Sequence, residues 1–284
     1  MPIYEERYRT WQGTLRRRPL TWWVIARTGV PLQWGKLMKV LVILAAIPIM
    51  VRAIQVYAFM RAGDAPQMAE FITGLSINGK FFLDLLRQQN LWLVFALVLS
   101  GAGLIADDRR LGAYPIYFAR PVGFGDYVGG KLLVTGTFGG AITLLPALLL
   151  WLMAVLLSRD GAFFSDWWWI PFAAVGQSLL MIGVYGSVVL ALSASSKAAR
   201  PAAVLFFAVY FLPELFRQVA PSGSDSAIGL ISLPVNLKQT GALLFGEPPP
   251  MGFSPWLSLS VLVLVMVIAL AVILYRVRPS EVVR

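Results

Sequence analysis

One stretch of the sequence has nearly the spacing of a phosphate-binding loop. The run from Gly125 to Leu132, GDYVGGKL, approaches the pattern GxxxxGK followed by Ser or Thr, in which backbone amides hold phosphate groups. That pattern also needs a hydroxyl on the magnesium ion and a buried strand before the loop. Leu132 has no hydroxyl, and an aromatic, proline-containing segment precedes Gly125. We therefore predict a helix start here, with Asp126 near the N-terminus and Lys131 at the bilayer boundary.

Other residues that could perform chemistry are scarce. The 284 residues include no Cys and no His, which excludes disulfides, Cys/His zinc sites, haem ligation by His and acid–base catalysis by His. The carboxylates fall in or beside predicted loops and span ends. Glu214 and Arg217 are spaced i,i+3 and are predicted to form an interfacial ion pair. We expect no catalytic, cofactor or metal site in this chain, and so not an enzyme.

The composition is that of an integral membrane protein. Hydrophobic residues make up 58% of the chain and charged residues 13%, and the mean hydropathy is +0.73. Soluble domains usually contain about 25% charged residues. The net charge of +10 could indicate nucleic acid binding, but the basic residues lie beside apolar runs, as topology signals do. We therefore expect membrane lipid, and no nucleic acid, as a partner.

The apolar runs predict an all-α fold with six transmembrane helices. A basic and aromatic segment over residues 1–36 is followed by a single six-helix transmembrane domain over residues 37–284. The predicted spans cover about residues 37–60, 88–106, 132–157, 167–192, 199–216 and 255–275.

The N-terminal segment mixes basic residues with tryptophans, which suits a helix in the lipid headgroup layer. The residues concerned are Arg16, Arg17, Arg18, Trp22 and Trp23. A plain basic tail that fixes orientation is the alternative.

Two further segments are predicted to lie outside the spans. In residues 61–90, Phe81, Phe82, Leu85 and Leu86 recur at helical spacing, which predicts an amphipathic stretch on the membrane surface. Residues 213–254 form a long outside segment, which could gate a pathway, bind a partner or simply connect two spans.

The distribution of Lys and Arg predicts the orientation. Seventeen of the 24 fall in the N-terminal segment, the loop between spans two and three, the turn between spans four and five, and the C-terminal tail. The positive-inside rule then puts both termini and the central loop in the cytoplasm, with the chain in a bacterial-type inner membrane.

The central loop resembles the loop between the second and third spans in permease subunits of the type 2 exporter family of ABC transporters. That family commonly has an acidic residue after span two, a glycine soon after it, an apolar stretch, a proline turn, an acidic–aromatic pair and Gly-Lys opening span three. The corresponding positions here are Asp107, Gly112, Tyr114 to Phe118, Pro121, Asp126-Tyr127 and Gly130-Lys131.

The resemblance implies a transporter membrane subunit without an ATPase of its own. Two copies of a separate ATP-binding subunit, which carry the ATP and Mg²⁺, would work with two permease chains, as a homodimer or a heterodimer. The coupling loop, residues 107–131, would contact the ATPase. Its implied site residues are Asp107, Arg110, Leu111, Gly112, Tyr114, Ile116, Tyr117, Phe118, Arg120, Pro121, Asp126, Tyr127 and Lys131.

Two other functions compete with this one. The chain could be a non-transporting scaffold that anchors or assembles other membrane proteins. It could also be an intramembrane enzyme, against which the lack of His, Cys and any mid-span carboxylate pair argues. An adjacent ATPase gene would favour transport over the scaffold.

Overall fold

A computed structural model of the chain describes residues 20–61, 75–114, 117, 122–158, 161–219 and 227–277. Within these ranges the secondary structure is helical, without strands. The helices are α1 (Thr21–Gln33), α2 (Lys36–Arg61), α3 (Gly79–Gly101), α4 (Ala106–Arg110), α5 (Phe124–Ile142), α6 (Leu144–Leu157), α7 (Ala162–Trp167), α8 (Ile170–Ser195), α9 (Ala199–Val219), a 3₁₀-helix (Ala227–Ile231), α10 (Leu233–Leu244) and α11 (Pro255–Val277).

Six helical stretches are long and apolar enough to cross a membrane. They are Lys36–Arg61, Gly79–Arg110, Phe124–Leu157, Ile170–Ser195, Ala199–Val219 and Pro255–Val277. This confirms the predicted all-α fold with six transmembrane helices. Gly79 lies beside Trp169 at one end of the bundle, and residues 105 and 106 meet Ser193 at the other. We call the end that carries α4 the loop end, and the other the opposite end.

Two helices form the interior of the bundle. In the spans of α3 and α8, 67% and 61% of the most apolar stretch is buried, against 17% in α2 and in α9. Tyr185 of α8 donates a hydrogen bond to Asn90 of α3, whose amide donates to Tyr210 of α9 at 2.7 Å. These polar contacts join three spans where lipid could not satisfy the groups.

The prediction of a surface segment before the second span is wrong. α3 begins at Gly79, capped by the Asn78 side chain, which accepts a hydrogen bond from the amide of Phe81. Phe82 and Leu85 are 0% exposed. Their helical spacing marks a face that packs against other helices, and an amphipathic pattern by itself does not distinguish such a face from one that lies on lipid.

The described residues of the segment from 213 to 254, which are 213–219 and 227–254, include helices packed on the bundle. α9 continues past Pro213 to Val219, and α10 follows with most of its residues buried. Gln177 of α8 donates to the carbonyl of Leu237, and Gln239 donates to the carbonyl of Met251. These bonds hold α10 against α8 and against the approach to α11.

The third span is broken once. Helix α5 ends at Ile142 and α6 begins at Leu144, with Thr143 between them. Pro146 has no amide hydrogen, and its ring clashes with the carbonyl four residues earlier, so it interrupts the helical bonding at Ile142. The Thr143 hydroxyl donates to the carbonyl of Gly139 at 2.9 Å, which also accepts from the Thr143 amide.

Candidate functional site

The candidate site is the loop end of the bundle, where α4 is fixed to the end of α8. The amides of Ile105 and Ala106 both donate to the Ser193 hydroxyl oxygen, at 3.1 and 3.0 Å. Arg109 donates to the carbonyls of Ala194 at 3.0 Å and of Ser196 at 2.6 Å. One hydroxyl and one guanidinium therefore hold the turn between α3 and α4 on the C-terminus of α8, where a cation is also favoured by the helix dipole.

A buried ion pair joins α4 to α5. The Lys131 ammonium lies 2.7 Å from a carboxylate oxygen of Asp108, with side-chain exposures of 7% and 18%. The Tyr127 hydroxyl donates to the same oxygen at 2.7 Å. Both the cation and the hydroxyl therefore satisfy one carboxylate, as a buried charge requires.

Aromatic rings surround this ion pair. The rings of Tyr114 and Tyr117 meet Tyr127 edge to face, with centroids 6.1 and 5.3 Å apart. The Lys131 ammonium lies 5.7 Å from the centre of the Tyr117 ring. Burial raises the pKa of Tyr114 and of Tyr117, so both hydroxyls stay protonated at neutral pH. Within the loop at residues 107–131, these two tyrosines therefore pack inward.

The surface of the loop is formed by other residues. Leu111 is 74% exposed, and it precedes Gly112, whose φ of +66° suits a glycine. Arg110 pairs with Asp107 at 3.4 Å on the exposed side of α4. On the far side of the loop, Asp126 accepts a hydrogen bond from the amide of Gly123 at 3.1 Å, as predicted for a helix start.

Helix α1 packs closely on α5 at the loop end. A Cβ atom added to Gly130 would lie 2.7 Å from Ile25 and 3.0 Å from the carbonyl oxygen of Trp22. A Cβ atom on Gly29 would lie 2.7 Å from Val134. Glycines in both helices therefore permit this close crossing. A cavity of about 140 Å³ lies beside it, between α1, α4 and α5.

The structure brings most of the predicted site residues together. Asp107, Arg110, Leu111, Gly112, Tyr114, Tyr117, Asp126, Tyr127 and Lys131 lie around the connection from α4 to α5. Ile116, Phe118, Arg120 and Pro121 lie outside the described residues, as do Arg16, Arg17 and Arg18 of the predicted interfacial segment. Trp22 and Trp23 lie in α1, 37% and 51% exposed.

Three residues that hold this site were not predicted. Asp108 and Arg109 stand in the charged run after the second span, but the sequence does not show which carboxylate or guanidinium turns inward. Ser193 directly follows the fourth predicted span, at the start of the turn between spans four and five. A serine near a helix end gives no signal of a partner almost ninety residues away in the chain.

The described contacts at the loop end join helices to one another. The described residues contain no group of three carboxylates that could hold a metal ion. Asp108 and Lys131 form an ion pair with each other at 2.7 Å. The chain matches no protein-family model and no curated protein.

Replacing Ser193 with Ala is expected to lower the free energy of unfolding by about 1–3 kcal/mol. The change leaves the buried amides of Ile105 and Ala106 without their acceptor. The measurement is denaturant unfolding in detergent, with hydrogen exchange at these two amides. Ser187→Ala is the matched control, because that buried hydroxyl donates only to the carbonyl of Val184 in the same helix. Equal losses in both variants would contradict the assigned role.

Proposed function

We propose that the chain is the membrane subunit of an ATP-driven exporter, moved by a separate ATPase subunit that contacts the loop at residues 107–131. The main support is that this loop is bonded to two of the spans. Arg109 holds it to α8, and Asp108 and Lys131 hold it to α5. A buried ion pair costs the hydration of both charges, and its presence suits a loop whose position relative to α5 has to be fixed.

The geometry supports a coupling role in a second way. Leu111 projects from the loop with 74% of its surface exposed, while the tyrosines that follow it pack inward. An apolar side chain on a charged rim suits the contact of a partner protein. A push on Leu111 and α4 would reach α8 through Ser193 and α5 through Lys131.

In this proposal the chain acts within a larger assembly. Two copies of the ATPase would bind ATP and Mg²⁺, and a second permease chain would complete the pathway, as a homodimer or a heterodimer. The loop end would face the cytoplasm of a bacterial-type inner membrane, together with both termini. The chain itself would carry out no hydrolysis.

The test is co-purification from detergent with the ATPase encoded beside this chain. We expect Leu111→Asp to reduce the recovered ATPase by about tenfold or more, because a charge placed in an apolar contact costs about 1.4 kcal/mol or more. Leu111 suits this test better than Tyr117, whose ring packs on Tyr127 and whose loss would disturb the fold.

Ile231→Asp is the matched control. Ile231 is 61% exposed and lies in the 3₁₀-helix, on the opposite end of the bundle. Both variants should elute from a sizing column as the wild type does. If the wild type recovers no ATPase, the exporter proposal fails and the alternative function, a non-transporting scaffold, is favoured. If both aspartates reduce recovery equally, the loop is not the contact.

A further inference from the structure

Arg52 is a cation in the middle of a helix that is mostly exposed on the outside of the bundle. It lies in α2, nine residues before the end at Arg61, and only 17% of the most apolar stretch of that helix is buried. Arginine within a membrane span is rare, and it normally pairs with a carboxylate or marks a functional site. The partners of Arg52 therefore decide which case applies.

The partners of Arg52 are neutral. Its Nε donates to the side-chain oxygen of Gln88 at 3.2 Å, and one terminal nitrogen donates to that of Gln55 at 3.4 Å. The guanidinium carbon lies 4.8 Å from the centre of the Phe81 ring. An arginine has five N–H groups, so these bonds leave some of them available.

The carboxylate that acts on Arg52 electrostatically is already paired with another arginine. Asp84 is on the same helix as Gln88, but it accepts from Arg87 at 3.1 Å. Among the described residues, no carboxylate comes within ion-pair distance of Arg52. Asp84 interacts with Arg52 electrostatically, but this one carboxylate also pairs with Arg87, so the described residues around Arg52 keep a net positive charge.

The height of the guanidinium in the bundle indicates which anion could reach it. Gly79, at the start of α3, lies against the ring of Trp169, next to Trp167 and Trp168. Tryptophans gather at the headgroup level of a membrane. The guanidinium lies over the ring of Phe81, two residues into α3, and bonds to Gln88, nine residues into it, so it lies in the first turns of the span inside that level. Lipid phosphates of this leaflet are the membrane anions closest to that depth.

We propose that Arg52, with Gln55 and Gln88, binds the phosphate of an anionic lipid in the leaflet at the opposite end of the bundle. The planar guanidinium matches phosphate oxygens, and the two glutamine NH₂ groups are free of the guanidinium because their oxygens accept from it. The acyl chains would lie on the exposed side of α2, where Val51 and Ile54 are 51% and 66% exposed. This inference does not depend on the exporter proposal.

Native mass spectrometry of the purified, delipidated chain tests this site. The probes are phosphatidylglycerol, a diacylglycerol with the same acyl chains, and inorganic phosphate. For the wild type we expect one phosphatidylglycerol to bind more tightly than the diacylglycerol. Arg52→Gln should weaken that binding about tenfold, since it removes a charge-assisted contact. Lys80→Gln is the matched control, because Lys80 is an exposed cation at the start of α3.

Gln88→Glu gives a second test that keeps Arg52 in place. The new carboxylate would accept from the Arg52 Nε and compete with the lipid, so phosphatidylglycerol binding should fall without loss of the arginine. Unchanged lipid binding in both Arg52→Gln and Gln88→Glu would overturn the proposal. Binding of inorganic phosphate in place of the lipid would also overturn it, because the site would then serve a soluble anion.

Discussion

Replacing Lys131 with Met is expected to lower the free energy of unfolding by about 3 kcal/mol, because it leaves the Asp108 carboxylate buried without its cation. Tyr127 would remain as the only donor among the described contacts of that oxygen, at 2.7 Å. One hydrogen bond from a neutral hydroxyl does not replace an ammonium ion. Unfolding in detergent with increasing SDS, followed by tryptophan fluorescence, measures the loss.

Two further variants make this prediction specific. Lys197→Met removes an exposed lysine from the turn between α8 and α9, and should change the stability by no more than about 0.5 kcal/mol. Asp108→Asn, added to Lys131→Met, should recover part of the loss, since the amide oxygen still accepts from Tyr127 and no charge remains. If Lys131→Met were no less stable than Lys197→Met, the ion pair would not hold the loop.

Lys131 illustrates a contact that could not be predicted from the sequence. The sequence predicts a helix start in this segment, with Lys131 at the bilayer boundary. The structure has Lys131 near the start of α5, which begins at Phe124. Its burial of all but 5% depends on Asp108, which the chain brings to it across a loop. Pairing of this kind depends on how two helices approach each other, and no local pattern encodes that approach.

The spans themselves could be predicted because hydrophobicity and length suffice to identify them. Which face of each helix packs against protein could not be predicted in this way. Phe82 and Leu85 were assigned to the membrane surface, since an apolar stripe beside Lys80 and Asp84 fits either lipid or protein. Burial of α10 was missed for a related reason. Polar residues such as Asn236 and Gln239 are typical of loops, but here their side chains donate hydrogen bonds to backbone carbonyls inside the protein.

Replacing Gly130 with Ala is expected to separate α1 from α5 and to lower the free energy of unfolding by about 1–3 kcal/mol. The added methyl group would lie 2.7 Å from Ile25 and 3.0 Å from the Trp22 carbonyl oxygen. Backbone cannot move aside as a flexible side chain can, so α1 itself must shift.

The neighbouring glycine distinguishes this clash from a general effect of alanine. A Cβ atom on Gly129 would meet only the Trp22 side chain, at 3.9 Å, which is ordinary contact. Gly129→Ala should therefore leave stability unchanged or slightly raised, since alanine favours a helix by about 1 kcal/mol over glycine. Tryptic cleavage in detergent at Arg27, an exposed residue of α1, should be faster in Gly130→Ala alone. Equal cleavage in both variants would mean that the close crossing does not hold α1 in place, and that α1 is held through other contacts.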